Sequence, residues 1–308
     1  MVSPNISFFS GFFLLGFSGQ PLLEMTLFVI IVIFYLLTLL GNIAIIYLAC
    51  LDPRLHTPMY FFLSHLSFMD LCYTTSTVPQ LLFNLKGPEK TITYGGCVVQ
   101  LYVALAMGST ECILLAIMAV DRYAAVCRPL HYAIIMHSRF CLQLVVMTWV
   151  TGLASSLVQT VLIIQVPRCG HNIIDHVFCE IPVLLKLSCV DTTANQMELF
   201  FVSAFLLLVP LSLILISYGF IGQAIWRIKA SEGRQKALGT CSSHLVVVFL
   251  FYGTATAMYL KPSSTTSQDQ DKFMALFYGV VTPTLNPFIY TLRNKDVKGA
   301  LRKMVGKA

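Results

Sequence analysis

The sequence predicts an all-α membrane protein, a bundle of seven transmembrane helices followed by a short amphipathic C-terminal helix. Of its 308 residues, 57% are hydrophobic and only 11% are charged, with a mean hydropathy of +0.78. Soluble domains carry about 25% charged residues. In addition, seven stretches exceed the roughly 20 apolar residues that cross a hydrocarbon core. These features exclude a soluble enzyme, a disordered chain and a small disulfide-rich module.

The predicted spans are almost free of charge. They cover residues 25–51, 56–85, 91–120, 140–167, 199–226, 237–260 and 273–292. Asp70 and Glu111 are the only Asp, Glu, Lys or Arg residues within them. We therefore divide the chain into an extracellular N-terminus (1–24), a seven-helix domain (25–292) and a cytoplasmic amphipathic helix and tail (293–308).

The distribution of Lys and Arg predicts the orientation. With the N-terminus outside, 14 of the 20 basic residues lie at the inner side, as the positive-inside rule requires. We expect a multi-pass plasma-membrane protein whose C-terminus is cytoplasmic. The net charge of +6 then reflects a basic inner face suited to anionic membrane lipid, and no nucleic-acid partner is expected. Asn5 begins an N-x-S sequon on the outer side and is a predicted glycosylation site.

Four cysteines lie on the predicted outer side, where disulfides persist. Cys97 is at the outer end of the third span, and Cys169, Cys179 and Cys189 lie in the loop before the fifth. Of the three possible pairings, we predict Cys97–Cys179, which ties the loop to the bundle, and Cys169–Cys189, which closes the loop on itself. The remaining cysteines are expected to stay reduced.

Two histidines in this loop, His171 and His176, admit a metal site as one interpretation. Thiols held in disulfides cannot act as thiolate ligands, however. Hydrogen bonds from these histidines to the loop backbone are the favoured interpretation.

Asp70 and Glu111 lie near the middle of the second and third spans. Two carboxylates at one depth cannot both ionise cheaply unless a cation joins them or one is protonated. We predict a sodium ion between them, with a shared proton as the alternative; no other cofactor is expected. At the inner end of the third span, Asp121 and Arg122 fit either an ion pair or a positive-inside anchor.

Six motifs follow one another along the spans. They are GN at 41–42, PMYFFL at 58–63 with DLC at 70–72, MAVDRYAAVCRPLHY at 118–132, SY at 217–218, KALGTCSSH at 236–244, and PTLNPFIY at 283–290 with RN at 293–294. Together they resemble the motifs of rhodopsin-like G-protein-coupled receptors and, within that group, of odorant receptors. The resemblance covers all seven spans and implies a receptor rather than an enzyme.

The resemblance implies a ligand pocket in the outer half of the bundle, and helical spacing selects its residues. The predicted wall is mostly apolar with a few hydroxyls, which suits a small, neutral, volatile odorant. No acid lies at the level of Ala104, so a protonated amine has no obvious counter-ion there. The predicted pocket residues are Ala104, Leu105, Gly108, Ser109, Gln159, Val202, Ser203, Leu206, Tyr252, Thr256, Tyr259, Leu276 and Gly279.

The resemblance also implies coupling to a heterotrimeric G protein of the stimulatory olfactory type, with a rise in cyclic AMP. Ligand binding would shift a population between two arrangements of the bundle. At the inner face the predicted switch residues are Asp121, Arg122, Tyr218, His244 and Tyr290. Tyr218 and His244 are the expected partners of Arg122 across to neighbouring helices.

Two alternatives differ in function. One is a non-olfactory chemosensory receptor for an endogenous metabolite, which tissue expression would distinguish. The other is a transporter or channel, which would need a polar path through the bundle; the absence of rings of like charge and of an internal repeat argues against it.

Overall fold

The computed structural model describes residues 11–227, 231–260, 268–293, 297 and 299. The predicted glycosylation site Asn5 and most of the predicted tail helix lie outside the described residues. Val297, which is described, is buried against the main core of the bundle.

Long helices make up most of the described chain. Two short helices lie in the connections between the long ones, and a π-helical segment, Phe277–Val281, joins the last two helices. The helices are α1 (Pro21–Leu51), α2 (Pro58–Lys86), α3 (Tyr94–Cys127), α4 (Tyr132–Ile135), α5 (Ser138–Ile164), α6 (Ile181–Lys186), α7 (Thr193–Arg227), α8 (Ser231–Tyr259), α9 (Gln268–Leu276) and α10 (Thr282–Arg293).

Five of these helices are long and apolar enough to cross a membrane by themselves, namely α1, α3, α5, α7 and residues 237–259 of α8. The second predicted span forms α2, which carries Asp70 together with many hydroxyl and amide side chains. The seventh is divided among α9, the π-helical segment and α10, so neither of its α-helical pieces is long enough alone. All seven predicted spans are therefore helical, with somewhat different ends.

The third helix is at the centre of the bundle. It packs against α2, α5, α7 and α8, while α1 packs against α2 and α10. Small residues permit the closest approaches: a Cβ on Gly152 of α5 would collide with the hydroxyl of Thr110 on α3. A Cβ on Gly41 of α1 would lie 2.9 Å from Pro287 on α10. Close packing of backbones through small residues is typical of membrane helices.

A small three-stranded sheet lies at one end of the bundle, which we call the loop end. Its central strand β1 (Gly11–Leu14) pairs antiparallel with β2 (Thr91–Thr93) and parallel with β3 (Ile173–Ile174). Residues 91–93 were expected to begin the third span, but they form β2, so α3 begins at Tyr94. At its other end α3 continues to Cys127, which places Asp121 and Arg122 inside the helix. We call this opposite end of the bundle the Arg122 end.

Candidate functional site

A cavity of about 120 Å³ lies between the helices in the loop half of the bundle. We call it the central cavity. Residues of α2, α3, α5, α7, α8, the π-helical segment and α10 surround it. Along α3 its wall runs from Ala104 to Cys112, a depth of about 12 Å at 1.5 Å per residue.

Eight of the thirteen predicted pocket residues line this cavity. They are Ala104, Leu105, Gly108, Ser109, Gln159, Ser203, Leu206 and Tyr259. They come from α3, α5, α7 and α8, the helices whose facing sides the spacing selected. The structure brings these residues together, and their contact with a ligand stays a prediction.

The other five predicted pocket residues lie away from the central cavity. The Tyr252 hydroxyl donates to the carbonyl oxygen of Cys112 at 2.7 Å, and the side chain is buried. Leu276 and Gly279 are covered by Phe178, because the loop residues before Cys179 pack onto this part of the bundle. Val202 and Thr256 are half-buried on α7 and α8, outside the lining of the cavity.

Three polar side chains on the wall of the central cavity have unused hydrogen-bonding capacity. Ser109, Gln159 and Ser203 make no side-chain hydrogen bond within the part of the chain that the structure describes, although each is buried. Buried polar groups are almost always hydrogen-bonded. The three groups are therefore available to a ligand that carries a donor or an acceptor.

The floor of the cavity holds the two carboxylates, Asp70 and Glu111. Asn286 of α10 donates from Nδ2 to both carboxylate oxygens of Asp70, at 3.3 and 3.1 Å. Among the described residues, Glu111 Oε1 and Asn286 Oδ1 are buried without a hydrogen-bond partner. These oxygen atoms, together with the charge of the carboxylates, fit a hard cation, which prefers oxygen ligands.

At the Arg122 end, the Asp121 carboxylate is the centre of a closed group. Arg122 forms an ion pair with it, with Nε at 3.1 Å from Oδ2. The Tyr132 hydroxyl donates to Oδ1 at 2.7 Å. Burial, and next the negative charge of Asp121, raise the pKa of Tyr132, so this phenol stays a donor.

Tyr218 and His244 bond to each other rather than to Arg122. The Tyr218 hydroxyl lies 2.9 Å from His244 Nδ1, and His244 Nε2 lies 3.1 Å from the carbonyl oxygen of Leu115. The sequence predicted Tyr218 and His244 as the partners of Arg122. In the structure Arg122 pairs instead with the adjacent Asp121 on the same helix. Even so, Arg122, His244 and Tyr290 border one small cavity, and the Tyr290 hydroxyl is buried without a partner among the described residues.

Two disulfides fix the loop before α7, as predicted. Cys97–Cys179 joins the loop to the start of α3, and Cys169–Cys189 closes the loop on itself. Within the described residues no group of three or more His, Cys, Asp or Glu side chains is arranged to hold a metal. His176 is buried and contacts the backbone of Phe178 through Nδ1, and His171 is exposed.

A second cavity of about 630 Å³ lies between this loop and the ends of α7, α8 and α9. We call it the loop cavity. Met258 and Tyr259 line both cavities and form the wall between them. Glu180 lines the loop cavity and accepts a hydrogen bond from the hydroxyl of Tyr278, which lines the central cavity.

The sequence interpretation missed Tyr73, Met258, Tyr278 and Glu180. Tyr278 lies in the π-helical segment, where ordinary α-helical spacing does not apply. Glu180 lies in a loop, where periodicity gives no direction. One signal was present for Glu180: it directly follows Cys179, whose disulfide holds it at the top of α3.

The family model and three of the related proteins that match this chain are all described as olfactory receptors. A family model described as olfactory receptor matches residues 31–308. Human olfactory receptor 2G6 is 62% identical over 305 residues, covering 99% of this chain and 96% of the relative. Human olfactory receptor 2G3 is 61% identical over 301 residues, covering 98% and 97%. Mouse olfactory receptor 2B6 is 58% identical over 301 residues, covering 98% and 96%.

Proposed function

The chain belongs to the olfactory receptor family, and we propose that it binds a small, mostly apolar odorant in the central cavity and activates a stimulatory G protein that raises cyclic AMP. It is a receptor with a seven-transmembrane bundle, not an enzyme. In this proposal the loop end is extracellular and the Arg122 end is cytoplasmic.

The observation that carries the ligand class is the wall of the central cavity. Above the floor formed by the two carboxylates, its lining is mainly hydrocarbon, as at Ala104, Leu105 and Leu206. The free hydrogen-bonding groups of this part are the neutral side chains of Ser109, Gln159 and Ser203. Burial of apolar surface then supplies most of the affinity, at about 25 cal/mol per Å². One or two neutral hydrogen bonds orient the ligand.

The proposed signalling step exchanges partners at the Arg122 end. A ligand that fits one arrangement of the bundle better shifts the population toward it by its difference in affinity. Because α3 carries both the central cavity wall and the Asp121–Arg122 pair, a displacement of this helix reaches both ends. Release of Arg122 from Asp121 would free a cation for a G-protein partner.

The charges and the disulfides support this orientation. Both disulfides lie at the loop end, which suits an oxidising extracellular side. The sequence assigns 14 of the 20 basic residues to the predicted inner side, among them Arg128, Arg139 and Arg227 at the Arg122 end, as expected of a cytoplasmic face.

A cyclic AMP reporter screen against a chemically diverse odorant panel tests the function. A Cβ on Gly108 meets no atom within 4 Å, so Gly108→Leu fills the central cavity without a backbone clash. We expect this variant to reach the cell surface and to lose the response to agonists of the parent chain. Gly219→Leu is the control, since Gly219 is equally free of neighbours and lies on α7 outside the cavity. A full panel without any response, or an undiminished response in Gly108→Leu, contradicts the proposal.

We also propose a sodium ion at Asp70 and Glu111, with the side-chain oxygen of Asn286 as a further ligand. The charge of the ion would compensate the carboxylates inside the bundle. Thermal unfolding of the purified chain in sodium chloride and in choline chloride tests this. We expect stabilisation by sodium that is lost in Asp70→Asn; equal melting in both salts indicates a shared proton instead.

A further inference from the structure

The loop cavity carries a carboxylate whose charge is not balanced. Glu180 has a relative exposure of 5% and lies on the cavity wall. Its Oε1 atom accepts the Tyr278 hydroxyl, which is a neutral donor. No Lys, Arg or His side chain within the described part of the chain forms an ion pair with Glu180.

The other charged groups of this cavity are arranged differently. Asp175 pairs with Lys272 at 2.6 Å, so its charge is compensated. Lys186 is exposed and pairs with no described carboxylate. Asp271 adds another acid to the lining, and His176 contacts the backbone of Phe178. Lys186 lies on the same cavity wall, but no described cation is within ion-pair distance of Glu180.

A buried carboxylate is costly unless it is paired and hydrogen-bonded. Glu180 has the hydrogen bond but not the paired charge, and the adjoining space is large enough for a small organic molecule. The rest of the wall is largely hydrocarbon and aromatic, including Leu185, Leu199, Phe200 and Met258. A buried carboxylate without a paired cation, next to an apolar stretch of wall, is complementary to a cation with a hydrocarbon body.

We propose that the loop cavity is a second ligand site, which binds a small organic ammonium ion with its nitrogen at Glu180 and its hydrocarbon part against Leu199, Phe200 and Met258. This inference deepens the proposed function. It rests on that function only because it assumes that the chain is a ligand-binding receptor. It also supplies the counter-ion for a protonated amine that the helices lack at the level of Ala104.

The two sites share side chains. Met258 and Tyr259 form the wall between the cavities, and Glu180 in one cavity bonds Tyr278 in the other. An ammonium ion at Glu180 competes with Tyr278 for the carboxylate. Occupancy of the loop cavity therefore alters the wall of the central cavity.

The experiment is a binding titration on the full purified chain in detergent, followed by thermal unfolding. The probes are hexylammonium and phenethylammonium at neutral pH, each compared with its alcohol of the same length. We expect the ammonium ions to raise the unfolding temperature in a saturable manner and the alcohols to do so much less. Glu180→Gln keeps an acceptor for Tyr278 and removes the charge. The ammonium concentration at half-saturation should therefore rise by about tenfold or more.

Two variants serve as controls with unchanged ammonium binding. Asp191→Asn removes an exposed loop carboxylate whose pKa is lowered by hydrogen bonds from the Thr193 side chain and backbone, and which lines neither cavity. Gly219→Leu adds a bulky side chain on α7 at a position that lines neither cavity. Should Glu180→Gln fail to fold, Leu199→Trp narrows the loop cavity with Glu180 intact and is expected to weaken binding.

Three results overturn the inference. The first is no saturable effect of either ammonium ion, and the second is wild-type binding by a folded Glu180→Gln or, where that variant does not fold, by Leu199→Trp. The third is complete loss of binding in Gly108→Leu, which would place the ammonium ion in the central cavity. The measurement needs no G protein. A chain that binds ammonium ions but never raises cyclic AMP would thus contradict the proposed function alone.

Discussion

Polar side chains in the central cavity and at the Arg122 end differ in what they bond. Ser109, Gln159 and Ser203 face the cavity with no hydrogen bond inside the described structure, whereas Asp121 accepts from both Arg122 and Tyr132. Buried groups left unpaired favour whatever molecule can pair with them. This difference supports the proposal that the cavity takes up a ligand and that the Arg122 end holds one arrangement until another group competes for Arg122 or Asp121.

The loop end also differs from the Arg122 end because disulfides fix it covalently. Removing the disulfide that joins the loop to α3 gives the largest expected effect. Cys97→Ser breaks a bridge that spans 82 residues; loss of a native disulfide typically costs about 2–5 kcal/mol. We expect little or no folded chain at the cell surface, measured by surface labelling. Cys50→Ser removes an exposed free cysteine and should express normally. Normal surface expression of Cys97→Ser would show that the loop is held without its bridge.

Arg122→Gln tests whether the closed group at the Arg122 end serves signalling. It removes the cation and leaves Asp121 buried with Tyr132 as its one side-chain partner among the described residues. We expect agonist-induced cyclic AMP to fall by about tenfold or more at matched surface level, a loss of roughly 1.4 kcal/mol or more in coupling. Arg128→Gln removes an exposed charge beyond the end of α3 and is the control. An unaltered response in Arg122→Gln would remove its proposed role.

Ser109→Ala tests the free groups of the central cavity. Loss of one neutral hydrogen bond costs about 0.5–1.5 kcal/mol, so agonists that use it should lose potency by roughly twofold to tenfold. Ser212→Ala on the exposed side of α7 is the matched control. Dose–response curves for several agonists give the measurement, and identical curves for all of them would show that Ser109 does not contact ligand.

Tyr132→Phe gives the smallest expected effect. It deletes the 2.7 Å hydrogen bond to Asp121 and keeps the ring. The arrangement seen in the structure should therefore lose about 1 kcal/mol of stability relative to the signalling arrangement. We expect basal cyclic AMP to rise by about twofold to fivefold through a population shift. Tyr123→Phe removes a neighbouring hydroxyl that has no hydrogen bond among the described residues. Equal basal levels in the two variants would contradict the closed-group interpretation.

The helices and part of the candidate site could be predicted from local sequence patterns. A hydrocarbon core requires long apolar helices, and helical periodicity places Ala104, Gly108 and Ser109 on one face, so these residues could be selected from sequence. The disulfides could be predicted because the four cysteines lie on the predicted outer side, one at the end of a span and three in one loop. The family motifs supplied the rest of the expected architecture.

Features that depend on distant backbone segments were not predicted. Strand β1 pairs with segments about 80 and 160 residues away in the chain, and no local pattern specifies that pairing. Phe178 covers Leu276 and Gly279 because the disulfide-bonded loop packs inward. Glu180 and the π-helical segment that carries Tyr278 escape helical spacing for the same reason: their directions are set by packing rather than by periodicity.

The wall of Met258 and Tyr259 has a consequence for odour mixtures. If both proposed sites are occupied, a molecule in the loop cavity and another in the central cavity contact opposite sides of the same two side chains. Each occupant would then change the affinity for the other, by the same factor in both directions. A blend that fills both cavities would accordingly be sensed as something other than the sum of its components, with suppression or enhancement arising inside one receptor molecule before any neuron compares signals.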